Sequence, residues 1–172
     1  MPTTYWLSSD LAALIWAALF IGFALHTIVS DFIYRRIPNL SLLVVLVCQS
    51  IWLIGEKLGV FPESTWGGSS ALMLIGAFFF YLLVLFPLWM KGIIGGGDVK
   101  YMATLAYLIG LSQSFYLLLF GSLIIGIYAL LITFLESIPL FYLRASAYRA
   151  KKLPYAGCIA LAALIWAITK IF

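Results

Sequence analysis

Between Leu11 and Ser30 the chain runs without a single Asp, Glu, Lys or Arg. Leu40–Gly55 and Ser69–Met90 are equally free of charge, while Ser114–Ile138 and Pro154–Phe172 carry one charged residue each. A helix needs about 20 apolar residues to cross the roughly 30 Å hydrocarbon core of a bilayer. Inside that core every backbone N–H and C=O must be satisfied within its own segment, which leaves helices as the natural form for runs of this length. Hydrophobic residues make up 65% of the chain and charged residues 9%, against roughly 45–50% and 25% in ordinary soluble proteins. The expected fold is an all-α, polytopic membrane bundle. No polar block is long enough to bury a soluble core of its own, so residues 1–172 are expected to form a single membrane-embedded domain.

The boundaries follow from the punctuating residues. Pro38 cannot continue the first helix and pushes Ile37 towards extended backbone, after which Asn39 is placed to cap a helix over Leu40–Gly55. Glu56–Gly68 carries Gly, Pro, Ser and Thr and is expected to be a loop. Ser69–Met90 forms a third span kinked or ended by Pro87. Lys91–Gly97 connects it to a short apolar helix from Asp98 to Ser112, too short to cross unless Asp98 and Lys100 sit in the boundary layer. Ser114–Ile138 and Pro154–Phe172 bring the expected count to six transmembrane helices.

Eight of the ten Lys and Arg residues fall in the first, third and fifth connections; only Lys57 and Lys170 fall on the other side. Positive residues stay on the cytoplasmic side, so those connections are expected inside and both termini outside the cytoplasm. The chain would then be a multi-pass protein of the inner (cytoplasmic) membrane. Tyr5, Trp6, Trp66, Trp89, Tyr155 and Trp166 suit an interfacial aromatic belt. The first apolar run is preceded by no Lys or Arg, so it is expected to remain as a span rather than be cleaved as a signal.

The net charge is only +4, with the basic residues in short loops, which argues against nucleic acid as a partner. Cys48 and Cys158 lie inside apolar stretches with no CxxC or metal-ligand spacing, and are expected to pack as small hydrophobes. No metal site and no cofactor are expected.

Within this chain the stretch Gly95-Gly96-Gly97-Asp98 stands out. Three glycines clear every Cβ from the approach to the Asp, and a charge this close to hydrocarbon marks function by default. The topology puts Asp31 at the same membrane face. Two carboxylates brought together in a partly dehydrated site share a proton and titrate as a pair. One acts as general base on water while the protonated other polarises a carbonyl. An ordinary alternative stands beside this: Asp31 and Arg35, four apart, could pair on a helix surface, and Asp98 could cap its helix.

Asp31 followed by Arg36-Ile37-Pro38-Asn39, then Gly95-Gly96-Gly97-Asp98-Val99-Lys100, then Leu153-Pro154-Tyr155-Ala156, resembles the type IV prepilin peptidases, and more narrowly their short TadV/CpaA branch. The resemblance covers nearly the whole chain. It implies a G-x-G-D aspartic endopeptidase in which Asp31 and Asp98 are the catalytic pair, cutting the leader from type IV or Flp-type prepilins at the cytoplasmic face. Bifunctional relatives carry an added domain with paired CxxC motifs and N-methylate the mature pilin. That insert is missing here, so neither zinc nor N-methyltransferase activity is expected.

On the same footing, Gly95, Gly96, Gly97, Lys100 and Glu136 are the expected substrate-binding residues. The glycines would admit a peptide backbone, and Lys100 faces about 200° away from Asp98 on a helix. Glu136 would attract a basic leader. Arg144, Arg149, Lys151 and Lys152 are expected to anchor topology and bind anionic lipid headgroups. His26 is expected to be buried and hydrogen-bonded, and Gln49 and Ser50 to bridge helices. The expected partners are a prepilin or pseudopilin precursor and membrane lipid, with the peptidase a monomer or weak homo-oligomer. A small proton-coupled transporter and an archaeal preflagellin-type peptidase are the alternatives.

Overall fold

The computed structural model describes residues 9–61, 70–136 and 154–171. Among the described residues there are six α-helices and no strand: α1 (Ser9–Tyr34), α2 (Asn39–Lys57), α3 (Ala71–Met90), α4 (Gly96–Ile109), α5 (Leu111–Glu136) and α6 (Tyr155–Ile171). Four of them, α1, α2, α3 and α5, are long and apolar enough to cross a membrane. Helix α6 is apolar but shorter. Leu72, Leu83, Leu130 and Phe134 are among many large apolar side chains left exposed on the outside of the bundle, the arrangement expected where lipid rather than water is the solvent.

Helix α4 differs in kind from the others. Its 14 residues span only about 21 Å at 1.5 Å per residue, short of the roughly 30 Å hydrocarbon core. Every residue from Tyr101 to Ile109 is buried, and a helix apolar all round belongs inside a protein. It packs against α3, α5, α2 and α6. The expected fourth span is therefore a core helix. It ends at Gly110, whose φ of +84° is cheap only for glycine. The chain reverses there and α5 begins at the next residue.

Helix α1 runs past Ser30 to Tyr34, because Asp31-Phe32-Ile33-Tyr34 contains nothing to stop it. At 26 residues it is about 39 Å long, more than the roughly 30 Å hydrocarbon core needs. Its buried stripe runs through Trp16, Phe20, Phe23 and Thr27 at steps of three and four, and ends on Ser30 and Asp31, three and four residues beyond Thr27. His26 falls between those positions and is exposed on the outer face, which corrects the expectation that it is buried. Asn39 is likewise the first residue of α2 and not its cap; Pro38 holds the cap position in extended backbone.

Helices α1 and α5 both pack on α6. The small residues Ala156, Ala160, Ala163 and Ala167 of α6 are fully buried, and small side chains let membrane helices approach closely. A Cβ on Gly121 of α5 would stand 2.6 Å from the Cγ1 of Ile159 and 2.8 Å from its Cα. Two polar bridges fall where expected: the Trp16 indole N–H donates to Gln49 Oε1 at 2.9 Å, and Ser50 and Tyr107 hydroxyls meet at 3.1 Å. Cys158 is buried, Cys48 half-buried, and neither is in a disulfide. The basic segment with Arg144, Arg149, Lys151 and Lys152, and the aromatic residues Tyr5, Trp6 and Trp66, lie outside the described residues, as does the side chain of Glu136.

Candidate active site

The end of α1 and the starts of α2, α4 and α6 meet at one end of the bundle. Asp31 sits there on the last turn of α1, and only 6% of its surface is exposed. Its Oδ2 accepts a hydrogen bond from the Gly157 backbone N–H at 2.7 Å. Gly157 lies in the first turn of α6, where N–H groups have no partner within the helix; the first α-helical bond there is Cys158 N–H to Pro154 C=O. The carboxylate of Asp31 thus closes the N-terminus of a helix 126 residues further along the chain. A Cβ at position 157 would be 2.8 Å from the Phe32 ring and 3.2 Å from Asp31 Oδ2. Only glycine lets the donor come this close.

The turn after Asp31 is held from within. Tyr34 ends the helix, Arg35 adopts a left-handed conformation with φ 54°, and the buried Ser30 hydroxyl donates to the Arg36 carbonyl at 2.6 Å. The Arg35 backbone N–H still donates to the Asp31 carbonyl at 3.1 Å, so Arg35 stays next to the carboxylate and lines the same cavity.

Asp98 is half-buried in the first turn of α4, the third residue of that helix. Val99 N–H makes the first α-helical bond, to the Gly95 carbonyl at 3.2 Å. Asp98 therefore stands beside the positive end of the helix dipole. Its side chain folds back over Gly95: a Cβ there would lie 2.7 Å from Asp98 Oδ2. The three glycines do different things. Gly95 clears the space occupied by the Asp98 carboxylate. Gly96 packs under Trp89 of α3, whose Nε1 would be 3.0 Å from a Cβ. Gly97 faces Ile37 at an ordinary 3.6 Å.

A cavity of about 350 Å³ opens between these elements, lined by Asp31, Arg35, Arg36, Ile37, Asn39, Gly95, Gly97, Asp98 and Lys100. Both carboxylates face the same space, within the roughly 300–1,000 Å³ typical of ligand sites. Lys100 shares the cavity with Asp98 and donates from Nζ to Asn39 Oδ1 at 3.2 Å. Gly96 is not part of the lining. Among the described residues no group of three His, Cys, Asp or Glu side chains gathers closely enough to hold a metal ion.

A family model described as the type IV leader peptidase family matches residues 18–130, well over half of the chain. The chain belongs to the type IV leader peptidase family. Aspartic proteolysis is the chemistry of that family, and the matched segment contains Asp31, the turn to Asn39 and the Gly95–Lys100 stretch. Gly157, on which Asp31 depends for its hydrogen bond, lies outside it. No curated protein and no solved structure matches the chain. Sequence reasoning missed Gly157. The signal was present, since a glycine in the first turn after Pro154 costs helix propensity and calls for a compensating role.

Proposed function

We propose that this protein is a membrane-embedded aspartic endopeptidase that removes the leader peptide from prepilin-type precursors at the cytoplasmic membrane face, with Asp31 and Asp98 as its catalytic pair. The observation that carries this reading is the one cavity faced by both carboxylates, in a chain that belongs to the type IV leader peptidase family.

In the reaction, one carboxylate takes a proton from a water held in the cavity, and that water attacks the scissile carbonyl. The other, protonated, polarises the carbonyl oxygen and then supplies the proton that the leaving amine needs. Asp31 is fixed through Oδ2 to Gly157, which leaves Oδ1 to serve the water. Positioning of this kind accounts for a large part of the rate that a hydrolytic site gains over solution. The arrangement uses only the chain's own residues.

The resemblance to the short TadV/CpaA branch supports a Flp-type prepilin as substrate and cleavage without N-methylation. The distribution of Lys and Arg supports a multi-pass protein of the inner membrane with both termini outside the cytoplasm, folded as one domain. Co-expression with such a precursor tests the reading. The intact chain should convert the precursor to a faster-migrating product with a new N-terminus and no added methyl group, read by mass spectrometry. Asp31→Asn and Asp98→Asn should each abolish that conversion while the protein still accumulates in the membrane. Normal processing by either variant would refute the pair.

A further inference from the structure

A second hollow adjoins the catalytic cavity. It measures about 440 Å³ and lies between α2 and α3, with α4 as its floor. Leu42, Leu43 and Leu46 line it from α2, Phe78 and Leu82 from α3, and Thr104 from α4. The remaining two lining residues, Asn39 and Lys100, are also lining residues of the catalytic cavity. The two spaces therefore share a threshold, formed by the Lys100–Asn39 hydrogen bond.

The shape comes from how α2 and α3 are held. Both pack chiefly on α4 rather than on each other. Their side chains meet at Leu53, Leu74 and Tyr107, towards the end of the bundle away from the carboxylates. Nearer the carboxylates, between Leu43 and Leu82, the two helices part. The lining positions on α2, from Asn39 to Leu46, follow helical spacing over two turns, about 10 Å along the axis. Leu43 is 57% exposed within the slot. The result is an apolar groove, closed at depth, open sideways to the surroundings of the bundle, and continuous at its upper end with a polar cavity holding two acids.

We infer that this groove seats one face of the apolar helix that follows the scissile bond of the substrate, so that α2 and α3 aim the bond at Asp31 and Asp98. The inference rests on the peptidase reading given above. Its occupant follows from the continuity of the two spaces: a polypeptide held across the carboxylates must leave the cavity, and across Asn39 and Lys100 it meets leucine and phenylalanine. Apolar side chains are stabilised along that path, whereas a charged leader is not. A lipid tail fits the lining equally well but has no reason to continue into the cavity.

Crosslinking tests this directly. A benzophenone amino acid is placed at Leu43 or Leu82 in the Asp98→Asn chain, which holds precursor uncut, and at Ile165 on the exposed face of α6 as a control. The expected result is a precursor adduct from the two groove positions, mapped to residues just beyond the cleavage point, and none from Ile165. In the active chain, Leu43→Trp fills the groove from an exposed position. It should slow cleavage of the full precursor at least about tenfold through misplacement of the bond, and leave cleavage of a short peptide lacking the apolar helix unchanged. Ile165→Trp should match the unmodified chain. If the unmodified chain cleaves the precursor but groove probes capture only lipid, or Leu43→Trp cleaves at the normal rate, the groove inference is overturned while the peptidase reading stands. Failure of the unmodified chain to cleave any such precursor overturns both.

Discussion

Gly95→Ala is the most informative single change, because its effect can be worked out from one distance. The added Cβ would sit 2.7 Å from Asp98 Oδ2, where ordinary contact begins at 3.4 Å. One of the two must yield by roughly 0.7 Å. The backbone at position 95 is tied by its carbonyl to Val99 N–H, whereas a change of χ1 lets the Asp98 side chain swing aside, so the carboxylate is the part that moves. A displacement approaching 1 Å in a catalytic group costs about 100-fold in rate, or roughly 3 kcal/mol of transition-state stabilisation. Folding should hardly change, since nothing in the core is touched and the methyl reduces the freedom of the unfolded chain. The assay is processing of a co-expressed precursor against time, with thermal unfolding in detergent as the check on structure. Gly76→Ala in α3 is the control, because its Cβ would meet nothing within 4 Å; processing should stay normal. Wild-type processing by Gly95→Ala would refute the idea that Asp98 must lie where it does.

Gly157→Ala should act on the other carboxylate. Its Cβ would press on Phe32 at 2.8 Å and crowd Asp31 Oδ2 at 3.2 Å, so processing should fall at least about tenfold; a pairing of this variant with Phe32→Ala, which removes the colliding ring, should recover part of the loss. Gly121→Val should leave Asp31 and Asp98 alone and loosen the bundle, because the colliding atoms include the Ile159 Cα as well as its Cγ1 and backbone yields poorly. Overpacking of this kind costs about 1–3 kcal/mol, read as a lowered unfolding temperature. An unchanged temperature would mean that α5 and α6 are not in close contact.

Much of this arrangement was legible beforehand, and the reasons are physical. Long charge-free runs mark helices because the bilayer leaves no other economical way to satisfy the backbone. The placement of Asp31 and Asp98 at one end of the bundle, beside the same cavity, is legible too, once the positive residues are used to sort the loops. What was not legible depends on packing between distant segments. Apolar composition cannot separate a helix that faces lipid from one that faces only protein, so α4 looked like a short span. His26 could be placed only after the rotation of α1 was known. Gly157 reaches Asp31 across 126 residues of chain, and no local pattern reports a bond of that kind. The three glycines before Asp98 looked equivalent as a run and prove to have three separate neighbours.

The enclosure of α4 has a mechanical consequence. Membranes differ in thickness, and lipid-facing helices respond by tilting or by drawing the bilayer to fit them. Among the described residues, α4 from Tyr101 to Ile109 is buried against other helices, so such strain reaches it through its neighbours. Asp98 stands at the head of this sheltered post, while Asp31 rides on α1, which has an exposed flank at Leu14, Leu25 and Val29. A change of lipid thickness should then disturb one half of the pair more than the other, which makes the bilayer itself a tuning screw for the separation of the two acids.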